Sequence, residues 1–216
     1  MIIEVINMEK ELSILLAKLQ GIAQTGKKYG NDIFDLERYE ELAQITKQLT
    51  KIIYPAISDQ KLSIIIDKDE GYATPKVDIR AVVFDSVGKL LLVKEKSDNA
   101  WSLPGGWADI GYSPKEIAEK ETFEEAGILV KAQYLIAVLD KAKHDYPAAL
   151  TYVYKFFIRC EPLNEKLKTG VETDDAQFFS LPEISKLILS EERVIMENIE
   201  MIFNDYHTKK ETLICD

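Results

Sequence analysis

Cysteine is nearly missing from this 216-residue chain. The two present, Cys160 and Cys215, make no disulfide framework and have no metal-ligand spacing, which excludes stapled secreted scaffolds and zinc modules. Long apolar runs are missing too: none approaches the roughly 18 residues of a transmembrane helix. The opening "MIIEVINMEKELSILLAKL" sets Glu4, Glu9, Lys10 and Glu11 among its apolar residues and has no basic start. A cleaved signal is therefore not expected, and the chain reads as cytoplasmic with no membrane partner. There is also no surplus of positive charge. The formal net charge of -10 argues against nucleic acid as a partner. A small anionic substrate stays open if a metal ion supplies the positive charge. No internal repeat or low-complexity tract interrupts the chain.

What is present is ordinary globular composition, 46% hydrophobic and 30% charged, enough for one large domain or a domain with an appendage. Leu12, Leu15, Leu16, Leu19, Ile22 and Ala23 recur at helical spacing from Met8, and Gly26, Gly30 and Asn31 are expected to end that helix. A second helical run carries Phe34, Tyr39, Leu42, Ala43, Leu49, Ile52 and Ile53 and stops near Tyr54-Pro55, before a short apolar stretch, "LSIIID". "VDIRAVVFD", the turn "SVGK" and "LLLVKE" read as a hairpin. "VKAQYLIAVLD", "ALTYVYKFFIRC" and "AQFFS" read as further strands, and "LPEISKLIL" and "SEERVIMENIEMIFNDY" as closing helices. The expected organisation is a helical N-terminal domain over 1–66, a linker over 67–76, an α/β domain with a mixed sheet over 77–206 and a tail over 207–216.

Two stretches invite a chemical reading. "GIAQTGKK", Gly21 to Lys28, comes close to a phosphate-cradling loop, but no strand precedes it and Lys28 stands where a hydroxyl would meet magnesium. It is read instead as the end of the first helix. The second stretch is "LPGGWADIGYSPKEIAEKETFEEAGI". Ser113 is a suitable N-cap with Pro114 at the first helical position, Glu116 completes a capping box, and Gly127 ends the helix. At about 100° per residue, Glu121, Glu124 and Glu125 share one face and Ala118, Thr122 and Ala126 the other. Such an acidic face is ordinarily a solvated one, since each repulsive pair costs only about 0.2 to 0.5 kcal/mol. Its neighbourhood points elsewhere. Carboxylates one turn apart suit a hard divalent ion, and the Gly105-Gly106 loop lets backbone approach a phosphate.

The order Gly-Gly, capped helix and "KETFEEAGI" resembles the box of the Nudix family. Glu121, Glu124, Glu125, Gly127 and Ile128 match the family pattern. Tyr112 stands where its first Glu belongs, Lys120 replaces its Arg, and Thr122 replaces an apolar residue. "GYATPKVDIRAVVF", "WSLPGGWAD", "ETDDAQFFSLPEI" and the helical segment with "DIFDLERYEEL" extend the likeness to hydrolases of nucleoside diphosphates linked to another moiety, bacterial CDP-choline pyrophosphatases among them. The resemblance implies an α/β/α sandwich, dependence on Mg2+ or Mn2+, and a homodimer. It also implies Glu121, Glu124, Glu125 and the Gly105 carbonyl as metal ligands, with Glu124 alternatively orienting water.

The expected reaction is attack of water on a nucleoside-diphosphate-X pyrophosphate, CDP-choline-like or ADP-ribose-like. Glu172 and Asp140 are candidates for the general base, against an ordinary surface role. Arg80, on an apolar strand, and His144, in a loop, are candidate substrate contacts with Gly106. Trp101 either stacks on a base or packs beneath the Gly-Gly loop. The alternatives are a house-cleaning or RNA-directed hydrolase and a nucleotide sensor without catalysis.

Overall fold

The first helix ends just before Gly30 and Asn31, as expected, but Gly26 does not break it. In the computed structural model, which describes residues 2–66, 69–164, 166–208 and 212–216, helix α1 runs Ile2–Tyr29 straight through Gly21 and Gly26. Residues 1, 67, 68, 165 and 209–211 lie outside the described set, and with them parts of the expected linker and tail. Gly26 is a packing residue: a Cβ there would run into the ring of Tyr39 on helix α2, Ile33–Ile53. The chain turns at Gly30, whose N–H closes on the Gly26 carbonyl at 2.8 Å, and Asp32 caps α2 through Oδ1 to the N–H groups of Phe34 and Asp35. The two helices run antiparallel, with Lys27 reaching Glu40 at 2.5 Å and the Tyr54 hydroxyl donating to the Glu9 carbonyl. Leu62 to Ile66 of the run "LSIIID" fall in a third helix, α3 (Asp59–Ile66), which buries Leu62 and Ile66. These helices belong to one compact unit, Met1–Pro75 with Ala148–Tyr152; the other is Lys76–Pro147 with Val153–Asp216.

The second unit holds two sheets. The larger has the order β4-β1-β6-β5-β8, from Gly105–Trp107, Lys76–Val83, Val153–Pro162, Val130–Asp140 and Ile214–Cys215. Its pairings alternate antiparallel, parallel, antiparallel and parallel, so the sheet is mixed. The smaller is β3-β2-β7, from Trp101–Ser102, Leu90–Glu95 and Thr173–Phe179. The expected hairpin is thereby corrected: β1 and β2 lie in different sheets, and the chain between them is closed by the Phe84–Leu90 bridge beside the turn. The reason is occupancy, because β4 and β6 already take both edges of β1. The segment read as a tail likewise carries a strand, β8, laid against β5.

Residues on β1, and Phe84 just after it, alternate between two cores. Ile79, Ala81 and Val83 pack with Ile117, Ala118 and Ala126 of helix α4 (Pro114–Ala126), while Val82 and Phe84 pack with Ile199, Ile202 and Phe203 of helix α6 (Met196–Thr208). Helices on both faces make this an α/β/α sandwich. The closing helices are shorter than read. Helix α5 spans only Leu181–Ile184, and Val194 and Ile195 are buried ahead of α6, where the Asn198 side chain takes the Ile195 N–H at 3.1 Å.

Candidate active site

Helix α4 is held at both ends as its sequence requires. The Ser113 hydroxyl accepts the Glu116 N–H, the Glu116 carboxylate accepts the Ser113 N–H at 2.8 Å, and Gly127 ends the helix at φ 67°. Its carboxyl-terminal turn is tied down by the 170–173 loop, where the Thr173 hydroxyl donates to the Glu125 carbonyl at 2.6 Å. The acidic face is therefore fixed on a rigid element rather than on a loop.

Its three carboxylates differ in exposure. Glu125 is buried, and its Oε2 accepts the Gly105 N–H at 3.0 Å. Burial, with Glu95 nearby, pushes its pKa up to about 8 against the pull of Arg80. The Glu121 side chain is 16% exposed and its pKa is also raised, by burial and by Glu124. Gly106 faces it: a Cβ on that glycine would stand 3.3 to 3.4 Å from the Glu121 carboxylate atoms. Glu124 is turned outward, 55% exposed, with Lys120 Nζ at 3.8 Å. Gly105 has φ 151°, and a Cβ would fall on the Ile79 carbonyl oxygen, so no other residue lets β4 pair with β1 this way.

The donors present fit a hard divalent cation in kind. Two carboxylates that burial leaves short of positive charge stand against a glycine loop that a side chain would fill. Among the described residues no three His, Cys, Asp or Glu side chains are already gathered closely enough to hold a metal ion, because Glu124 faces away from the buried pair.

Beneath this face lies a charged cluster of which only Arg80 was singled out from the sequence. Arg80 is buried; it clamps Asp78 through Nε at 3.0 Å and Nη2 at 2.7 Å, and donates from Nη1 to the Leu103 carbonyl at 3.1 Å. Lys155, also buried, is the second cation on Asp78. Burial works against charge on Asp78, but Arg80 and Lys155 hold its carboxyl below the usual range. Burial brings Lys155 down to about 8. The buried Glu95 accepts the Ser102 hydroxyl at 2.9 Å and meets Arg193 at 3.3 Å. The signal that was available is the Asp78-Arg80 pair, two charges on one face of an apolar strand.

The remaining candidates each have other partners. Trp101 is buried, its ring edge-on to Phe179 at 4.8 Å, which corrects the stacking role in favour of packing. His144 lies between Glu197 (3.1 Å) and Asp216 (2.9 Å), so both ring nitrogens already face carboxylates. Asp140 caps the 3-10 turn Lys141–Lys143 through the Ala142 N–H. Glu172 is exposed, one residue from Thr173, with its carbonyl taken by the Lys96 N–H at 3.0 Å.

A family model described as NUDIX domain matches residues 74–199, and one described as UDP-X-like, N-terminal oligomerisation domain matches residues 11–52. The chain is 38% identical over 200 residues to Bacillus subtilis (strain 168) YjhB, whose name marks it as a candidate ADP-ribose pyrophosphatase; the alignment covers 91% of this chain and 93% of that one. A solved UDP-X diphosphatase matches with TM-score 0.60 and 29% identity, covering 95% of this chain and 98% of its own. An ADP-ribose pyrophosphatase from Streptococcus suis 89-1591 matches with TM-score 0.59 and 37% identity, covering 66% of this chain and all of its own (100%).

Proposed function

We propose, from the premise that this chain belongs to the Nudix family of hydrolases, that it is a metal-dependent pyrophosphohydrolase of nucleoside diphosphates linked to another moiety, ADP-ribose-like or UDP-X-like in kind. The observation that carries this reading is the apposition of Glu121 and Glu125 to the Gly105-Gly106 loop. Water attacks one phosphorus, a new P–O bond forms, the anhydride P–O–P bond breaks, and a nucleoside monophosphate and phospho-X leave.

Glu121 and Glu125 are the residues to hold Mg2+ or Mn2+, with the Gly105 carbonyl, and Glu124 is a further ligand or orients the water. The bound ion supplies charge neutralisation and a lowered pKa for water. Glu125 depends on Gly105 for its hydrogen bond and on burial for its rigidity. Arg80 acts from beneath, fixing the Leu103 carbonyl two residues before Gly105. Gly106 leaves room for a phosphate beside Glu121. Glu172 stays the candidate base: its backbone is tied, through Thr173, to the end of α4.

The helical unit is proposed to join a second copy of this chain. Met8, Leu15, Ile22 and Tyr29 recur on α1 at seven-residue intervals, each more than half exposed, the spacing of a helix seam.

The test incubates the protein with ADP-ribose, CDP-choline, a UDP-linked sugar, NADH, 8-oxo-dGTP and a short RNA, each with Mg2+ and with Mn2+, and separates the products. Turnover of the diphosphate-linked compounds is expected, with Glu121→Gln and Glu125→Gln each losing about a hundredfold or more. Full metal-dependent activity in either folded variant overturns the site. No turnover of any compound returns the sensor reading.

A further inference from the structure

Lys120 sits among three carboxylates. Its Nζ is 3.0 Å from Asp109, 3.6 Å from Glu121 and 3.8 Å from Glu124, and it lies over the Tyr112 ring at 5.8 Å from the centroid. The nearest partner is thus not on the acidic helix face but in the loop between β4 and α4. That loop is itself fixed as a turn, with the Tyr112 N–H on the Asp109 carbonyl at 3.3 Å and Gly111 at φ 95°.

We infer that Asp109 is a positioning residue for the proposed metal site: it parks the Lys120 ammonium in the loop, over Tyr112, so that Glu121 and Glu124 are steadied by the cation without being neutralised by it. The inference rests on the proposed function. A lysine has three donors on a flexible stem and settles on whichever carboxylates are nearest. With Asp109 in place the closest anion is one that no metal needs. Without it, Glu121 and Glu124 are the only carboxylates among these contacts, and an ammonium paired to them competes with an entering divalent ion. Asp109 does this from three residues before Tyr112, the position at which the sequence lacks an acidic residue. Tyr112 contributes a ring face, a weaker partner that holds the stem in place.

The arrangement makes a signed prediction that simple charge counting does not. Taking a negative charge away from a cation site weakens binding wherever the charge stands. Only the parking role makes that loss depend on Lys120. The experiment titrates the full chain with Mn2+ calorimetrically in wild type, Asp109→Asn, Lys120→Gln and Asp109→Asn/Lys120→Gln, with apo-protein melting as the fold control. Asp109 is half exposed, so its variant should melt as wild type does. The expected result is Mn2+ binding weakened about tenfold by Asp109→Asn in the wild-type background and by no more than about twofold in the Lys120→Gln background. Binding in Asp109→Asn within about twofold of wild type overturns the inference, as does an Asp109→Asn loss that is as large in the Lys120→Gln background as in wild type. If Asp109→Asn melts low, the Lys120→Gln background decides alone, because a loss of fold would persist there and a misplaced Lys120 would not. A wild type that binds no Mn2+ overturns the proposed function instead.

Discussion

In the helical unit Met8, Leu15, Ile22 and Tyr29 are 53 to 60% exposed, whereas in the sandwich Asp78, Arg80, Lys155, Glu95 and Glu125 are 1 to 6% exposed. One unit shows solvent the apolar side chains it has too few layers to cover; the other buries charges and relies on pairing them. Two helices and a short third enclose little volume, so an apolar stripe remains for a second surface. Two sheets between helices enclose enough to keep water from a carboxylate, which is what makes Glu125 hungry for positive charge. The exposed stripe suits the proposed association of the helical unit, and the buried carboxylate suits the proposed ion site of the sandwich.

The largest expected effect breaks the buried side. Asp78→Ala leaves Arg80 and Lys155 without their shared anion, at a cost of about 3 to 5 kcal/mol. An exposed counterpart, Ile52→Ala in α2, should stay within about 0.5 kcal/mol. Urea unfolding of both measures the difference, and equal costs would dissolve the contrast.

Next come two glycines that both exclude a side chain. Gly105→Ala meets backbone, the Ile79 carbonyl, at a φ that L residues avoid, and should cost about 1 to 3 kcal/mol while displacing the N–H that Glu125 uses. Gly26→Ala meets the Tyr39 ring down to its Cγ, so α1 and α2 must part slightly, but it stands at an ordinary helical φ and regains about 1 kcal/mol of helix propensity, so its net cost should be smaller. Thermal melting orders the two. Charging the stripe with Leu15→Lys and Ile22→Lys should have a still smaller effect on the fold: sedimentation should show the proposed dimer in wild type and monomers in the variant, with circular dichroism unchanged.

Local rules were legible and pairings were not. Ser113, Glu116 and Gly127 announce both ends of α4 because capping is decided within four residues. The strands announced themselves by composition, but the partner of β1 depends on β6, over seventy residues away, so the hairpin reading failed. Gly26 misled because a glycine that ends a helix and one that lets two helices touch look alike until Tyr39 is placed. Within the site, the glutamates and Gly105 could be named from their order, whereas the parking of Lys120 on Asp109 needed the loop geometry. Arg80 was noticed as a charge in an apolar strand; Lys155, the second cation on Asp78, comes from another strand and gave no signal of its own.

The smallest effect tests whether the sandwich also uses charge at its margin. Both His144 nitrogens face carboxylates, Glu197 Oε1 and Asp216 Oδ2, and only a protonated ring donates to both. Burial opposes the charge, but Asp216 and Glu197 outweigh it and raise the His144 pKa above 6.5. A raised histidine stabilises the fold fully below the unfolded value near 6.5 and loses that contribution as pH rises through its folded value. Asp216, lowered by the same ring, the Asp140 N–H and Lys143, contributes above the ordinary carboxylate range and fails only in acid. Asp216 Oδ2 also accepts the Asp140 N–H at 2.7 Å, so the histidine holds strand β8 on β5 through one side chain. With Glu197 exposed, the contribution should be below about 1 kcal/mol. Hydrogen exchange of the Asp140 amide, corrected for its intrinsic rate, should quicken between pH 6 and 9 in wild type and not in His144→Gln. An unchanged slope in the variant would mean that β8 is held by its backbone pairing to β5 and not by charge.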